Sequence, residues 1–340
     1  MNPCPAVPRQ APMWSVRGFL WLVLLTFCLA GCAEPPALRT NSWRFVVVGD
    51  LHLSETRTTV ANQLVAAMRG DDPSLVLITG DLVEGGSLTA DQIQGQLDTF
   101  LEVMAPLTGD GIPVYPVRGN REAGMTDGVR LWNAAFSGVA ALPRNGPEGE
   151  TGLTYSFARH NALFIGMDAY VNRRRVNQAW LDGQLAANVR PHVFVFAHPA
   201  AFKSSHADIL DDFPEDRNAL WSSLSAAGAR LYFCGHDHFF DLTRIDDGDG
   251  EPDDDVFQVV TGTGGAWIVS SFDFDGPNEP YTPVPLLHGA EFGYLLVEIS
   301  GQGERDLDVT LTWKMRVEDP LSGAVSFLPV HRYGYRASAH

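Results

Sequence analysis

Five short apolar runs, each stopping at a residue that can bind a cation, constrain this chain more than any other feature. They read FVVVGDLHL at residues 45–53, LVLITGD at 75–81, PVYPVRGN at 113–120, VFVFAH at 193–198 and RLYFCGHDH at 230–238. An apolar run of this length bounded by Gly or Pro predicts a buried strand. Between the runs lie segments with apolar residues at helical spacing: 58–69, 90–104 (Ile93, Leu97, Leu101 and Met104 on one face), 176–187 and 217–227. Strands alternating with helices predict an α/β fold, with parallel pairing and helices covering the sheets. Strands at 153–157 and 162–167 read as a hairpin, and the chain beyond residue 238 is β-rich, with strands expected at 239–244, 256–261, 293–299 and 307–317.

The 340 residues are 45% hydrophobic and 19% charged, a globular composition. The formal charge of −17 lacks the basic footprint of a nucleic-acid binder. A small phosphorylated substrate remains compatible with it, because bound metals invert the local field.

The N-terminus reads as a targeting segment. Arg9 and Arg17 precede an apolar stretch at 19–30 that is short for a membrane span. It ends in Leu29-Ala30-Gly31-Cys32, which resembles the bacterial lipoprotein processing box, where cleavage precedes a cysteine that is then acylated. The expected organisation is a signal peptide at 1–31, a lipidated Cys32 with its tether at 32–42, and one domain at 43–340. Lipid on Cys32 would hold that domain at a membrane of the cell envelope, on the periplasmic or extracellular side. Cys4 and Cys28 leave with the signal. Cys234 then remains as a single thiol inside an apolar strand, unable to form an internal disulfide.

The polar tips are Asp50 and His52, Asp81, Asn120, His198, and His236 with His238. Open α/β sheets place their sites at the carboxyl ends of strands. Carboxylate and amide oxygens combined with imidazole nitrogens suit zinc and first-row divalent or trivalent metals. Two such ions close together activate a water and clamp phosphoryl oxygens. In Gly235-His236-Asp237-His238, period-two alternation of a strand is expected to aim both histidines the same way.

The order Asp-x-His, Gly-Asp, Gly-Asn, His, Gly-His-x-His over residues 44–299 resembles the calcineurin-like metallophosphoesterase superfamily. Asp168 with the helix opening at Gln178, and the turn Thr261-Gly262-Thr263-Gly264-Gly265, agree with it. The resemblance implies a four-layer fold: two mixed β-sheets packed as a sandwich flanked by helices, with the site along one sandwich edge. It implies two metal ions (Mn, Fe or Zn) bridged by Asp81, one held by Asp50, His52 and His238 and the other by Asn120, His198 and His236. The implied activity is hydrolysis of phosphoric esters, monoesters before diesters, by a metal-bridging hydroxide.

Two departures stand out. Where the family usually has His after Gly-Asn, this chain has Arg121, followed by Glu122. Arginine grips phosphate well but is a poor proton donor, so general-acid help is expected from elsewhere, with His206 the candidate. Arg121 also opens an alternative, a catalytically weakened metal- and phosphate-binding protein at the membrane surface. Where purple acid phosphatases carry a tyrosine, three residues after the bridging Asp, this chain has Glu84, so no iron–tyrosinate pigment is expected. The run Arg173-Arg174-Arg175 is either a solvated face or an anion-recognition element. Tyr170, Phe202 and Trp267 are either core or stacking residues. The acidic stretch 246–255 reads as a solvated hairpin tip rather than a calcium loop.

Overall fold

A computed structural model describes residues 42–86, 88–270, 273–301 and 307–337. The expected signal peptide, Cys32 and nearly all of the tether lie outside the described residues. Among the described residues, no helix is long and apolar enough to cross a membrane.

In chain order the elements are β1 (Trp43–Val48), α1 (Thr59–Gly70), β2 (Val76–Ile78), α2 (Ala90–Gly109), β3 (Val114–Pro116), α3 (Asn120–Ala123) and α4 (Gly128–Ala135). There follow β4 (Tyr155–Arg159), β5 (Ala162–Gly166), α5 (Gln178–Ala186), β6 (His192–Phe196), α6 (Pro214–Ala226) and β7 (Leu231–Cys234). The last six strands are β8 (Phe240–Asp246), β9 (Val256–Thr261), β10 (Thr282–Gly289), β11 (Gly293–Gly301), β12 (Leu307–Glu318) and β13 (Val325–Ala337).

They form two mixed sheets. One is ordered β13-β12-β11-β1-β2-β3, the other β10-β8-β9-β7-β6-β5-β4. In the first, β1, β2 and β3 run parallel while β11 joins β1 antiparallel. In the second, β5, β6, β7 and β9 run parallel, flanked by antiparallel pairs. The acidic stretch spans the β8–β9 hairpin connection, as expected.

Strand alternation explains the layering. Along β6, Phe194 and Phe196 enter the core between the sheets, while Val193 and Val195 join a second core under the helices. Phe45 of β1 meets Phe164, Phe194 and Phe233 of the opposite sheet at ring-centroid distances of 5.2, 4.9 and 6.0 Å. On the outer side of that second sheet, Leu181 of α5 and Leu220, Trp221 and Leu224 of α6 complete the second core. Ala61, Leu64, Val65 and Met68 of α1 repeat every three to four residues and are buried. Thr89 caps α2: its Oγ1 accepts from the Gln92 N–H, and the Gln92 side chain accepts from the Thr89 N–H.

Candidate metal centre

The parallel strands of both sheets bring the sequence-predicted ligands to one edge. Asp50 and His52 follow β1, Asp81 follows β2, Asn120 opens α3, His198 follows β6, and His236 and His238 follow β7. Asp50, His52, Asp81 and His236 have left-handed backbones, with φ of 58°, 46°, 51° and 69°. Such conformations cost a non-glycine residue on the order of 1–3 kcal/mol and cluster at functional sites. They correct one expectation. Strand β7 ends at Cys234, so His236 and His238 lie on a bend beyond it, and a turn at His236 rather than strand alternation sets their directions. Two glycines allow close approach. A Cβ on Gly119 would lie 2.1 Å from Asp81 Oδ1, and one on Gly235 would lie 2.3 Å from Asp50 Oδ2.

The ligand-type atoms face one another. Asp81 Oδ2 is 3.2 Å from His52 Nε2, and Asp81 Oδ1 is 3.5 Å from His198 Nε2. Asp50 Oδ1 is 3.8 Å from His52 Nε2 and 3.5 Å from His238 Nε2. Asn120 Oδ1 is 2.9 Å from His198 Nε2 and 3.0 Å from His236 Nδ1. Among the described residues two groups are tight enough to hold an ion, Asp50–His52–His238 and Asp50–Asp81–His198, and Asn120 extends the second to His236.

Three of the histidines have their other ring nitrogen against a backbone carbonyl. His198 Nδ1 is 2.7 Å from Thr79 O, His236 Nε2 is 2.8 Å from Ala207 O, and His238 Nδ1 is 3.0 Å from Trp267 O. A ring N–H donating to a carbonyl leaves the facing nitrogen its lone pair, which is the form a metal ligand needs.

Burial alone would raise the Asp50 carboxyl. Attraction to His198, and then to the neighbouring His238 and His52, outweighs it and holds the group well below the usual carboxylate range. For Asp81 burial is likewise overcome, by His198 and His52. Burial opposes charge on His52, but the neighbouring carboxylates of Asp50 and Asp81 raise its pKa to about 9. Both carboxylates are buried, and among the described residues Asp50 Oδ1 and His52 Nε2 are buried with no hydrogen-bond partner. Buried charge is tolerated when it is paired or coordinates a metal. The orphaned atoms and the donor set fit a pair of cations.

The sequence reading noted Glu122 only as part of the Arg121 segment. Its buried carboxylate accepts backbone N–H bonds from Gly119 (2.7 Å), Asp81 (3.1 Å) and Val83 (3.1 Å), tying two ligand-bearing turns together. Burial, and then the charge on Asp81, push its pKa up to about 7. Asp237 was noted only as the residue between two candidate ligands. It is buried between His236 and His238, and it accepts from Ser204 Oγ, from the His206 N–H (2.7 Å) and from His206 Nδ1 (2.8 Å). His206 thereby stands beside both metal-facing histidines, with ring centroids 5.2 Å from His236 and 5.3 Å from His238. The hydrogen bond that His206 donates to Asp237 raises its pKa against the opposing effect of burial.

Arg121 lies on the rim. Its backbone N–H donates to Asp81 Oδ1 at 2.8 Å, its Nη1 donates to Glu84 O at 3.1 Å, and its Nε is 3.8 Å from Asp81 Oδ2. Glu84 pairs with Arg57 and places Oε2 3.8 Å from His52 Nδ1. The arginine run is held by acids on neighbouring segments. Arg174 pairs with Asp208 and Asp212, and Arg175 lies 3.8 Å from Asp216. Of the three aromatics, Phe202 is core, Tyr170 has its hydroxyl buried, and Trp267 is 64% exposed.

Fold and site together define a two-sheet α/β protein with a candidate dinuclear metal centre. The family model described as calcineurin-like phosphoesterase matches residues 44–240, more than half of the chain, and the chain belongs to that family. Among solved structures it is similar to purple acid phosphatase PPD1 from yellow lupin (Lupinus luteus) seeds. The TM-score is 0.61 at 17% identity, covering 88% of this chain and 54% of the lupin one, so this chain spans about half the lupin enzyme's length. It is also similar to GAP50, the anchor in the inner membrane complex of Plasmodium, with a TM-score of 0.53 at 14% identity, covering 85% of this chain and 89% of that one. No match to a curated protein was found.

Proposed function

We propose that the protein hydrolyses phosphoric esters, monoesters in preference to diesters, with two cations held around a shared Asp81. Asp50, His52 and His238 would hold one, and Asn120, His198 and His236 the other. The observation that carries this reading is the division of the Asp81 carboxylate, with Oδ2 facing His52 and Oδ1 facing His198. Asp50 turns its Oδ1 toward His52 and His238, at 3.8 and 3.5 Å, which supports placing it with the first cation. Bound ions of the Mn, Fe or Zn kind supply an activated water and neutralise charge on phosphoryl oxygens.

The protein's own groups supply the rest. Arg121, permanently charged, offers a planar fork to phosphoryl oxygens from the rim beside Asp81. A monoester carries more charge there than a diester, which is the basis of the monoester preference. His206 has Nδ1 engaged by Asp237, so Nε2 is the atom left to protonate the leaving oxygen. Glu122 keeps the Asn120 and Asp81 turns in register. Attachment to a membrane of the cell envelope through lipid on Cys32 belongs to the same proposal, supported by the sequence Leu29-Ala30-Gly31-Cys32.

The test is Asp81→Ala, with metal content and p-nitrophenyl phosphate turnover measured on the soluble domain. Loss of at least one bound metal and of turnover is expected, and unchanged values for both would refute the assignment. Arg121 in place of histidine favours a second reading, a weak or inactive metal and phosphate binder. Strong gain of activity in Arg121→His over a near-background wild type would establish that reading instead.

A further inference from the structure

Trp267 is the large aromatic side chain most exposed among the described residues, at 64%. Exposure of an indole costs burial energy and is informative where a site lies beside it. Its backbone carbonyl accepts from His238 Nδ1 at 3.0 Å, so the residue borders the candidate metal centre. Arg57 lies over the ring, with Cζ 5.6 Å from its centroid, and Arg57 is itself tied to Glu84, whose Oε2 is 3.8 Å from His52 Nδ1. Arg57 also helps to line a cleft of about 260 Å³. The lining includes Leu51, between Asp50 and His52, and Gly265, two residues before Trp267. The backbone of Trp267 is therefore tied to His238, while much of its indole stays open to solvent.

Resting on the phosphoesterase reading, we propose that Trp267 and Arg57 form the subsite for the alcohol half of the substrate, and that this half carries a flat aromatic ring. A nucleobase and a simple aryl group share the chemistry required. The indole offers a stacking face, and Arg57, lying over the ring, adds a planar cation that polarises it. Base–aromatic stacking tolerates any ring because every base presents a π-face. An ester with a small aliphatic alcohol gains nothing from such a platform.

The test compares kcat/KM for 1-naphthyl phosphate, AMP and glycerol 3-phosphate in the metal-loaded protein and in Trp267→Ala and Trp267→Phe. The ratio of kcat/KM for each ring-bearing ester to that for glycerol 3-phosphate is expected to fall about 10-fold in Trp267→Ala, corresponding to 1.4 kcal/mol. Trp267→Phe should restore most of it. A fall for AMP alone would identify a nucleotide subsite, and a fall for naphthyl phosphate alone an aryl one. Ratios unchanged within twofold would overturn the proposal, as would an equal loss on all three esters, which would mean that Trp267 acts only by supporting His238. AMP binding by calorimetry is measured in parallel. A chain inactive on every ester would refute the phosphoesterase reading, while weaker AMP binding in Trp267→Ala would still decide for the subsite and equal binding against it.

Discussion

The carboxylate of Asp237 accepts both the backbone N–H and the Nδ1 of His206, at 2.7 and 2.8 Å, across 31 residues of chain. It is buried between two metal-facing histidines, so one side chain couples the loop carrying His206 to the metal centre.

Asp237→Asn keeps an acceptor for the His206 N–H but removes the charge that raises the imidazole pKa. His206 would then lose its proton at lower pH, and the alkaline limb of the kcat/KM profile should move toward acid. General-acid catalysis contributes about 10²–10⁴ in rate, so a loss of about 10-fold on an alkyl phosphate is expected, smaller on p-nitrophenyl phosphate, whose leaving group needs less help. Metal content should be retained. A profile that does not move would remove His206 from the reaction.

Arg118 and Asp168 form an ion pair of 2.6 Å, both buried, at the ends of β3 and β5. Asp168 Oδ1 also accepts the N–H groups of Tyr170 (2.8 Å) and Val171 (3.0 Å). Removing one member of a buried pair leaves an uncompensated charge and costs about 3–5 kcal/mol. Urea denaturation of Arg118→Met should show a loss of that size. Arg118→Met/Asp168→Asn, which keeps the acceptor and discards the charge, should regain more than half. A single-variant loss below about 1 kcal/mol would mean that the pair is solvated in solution.

His192 opens β6 with its ring buried and stacked on Phe194 at 5.8 Å, and burial lowers its pKa to about 4. The unfolded chain binds this proton near pH 6.5. Between pH 6.5 and 4 the unfolded state therefore holds the extra proton, and stability falls as pH falls, by up to about 3 kcal/mol from this group. In His192→Leu the decline of the melting temperature across that window should be shallower than in the wild type. Parallel declines would show that another group governs acid unfolding.

Much of the fold is legible locally. Helix α1 occupies Thr59–Gly70 against an expected 58–69, because its apolar spacing is regular. Helix α2 continues to Gly109, past the expected end at 104, with Pro106 inside it. Four elements escaped: α3, α4, β10 and β13. Both strands carry prolines that argue against a strand. Pro283 and Pro285 lie on β10 and Pro329 on β13, and both are edge strands, where a missing N–H is tolerated. The β12–β13 register shift beside Lys314, the partner of Pro329, accommodates the latter.

Ligand type and position at a strand tip are properties of a few neighbouring residues. The sequence alone therefore determined which side chains bear the chemistry and, with the strand–helix alternation, the class of fold. What they meet depends on segments tens to nearly two hundred residues away. Only the tertiary structure decided that Asp81 divides its oxygens between His52 and His198, that Glu122 clamps two turns, and that Asp237 holds His206. It likewise decided that Arg174 is tied up by acids while Trp267 is left open beside the centre. These outcomes are set by which backbone turns and side chains pack together when the two sheets close, and no local pattern carries that information.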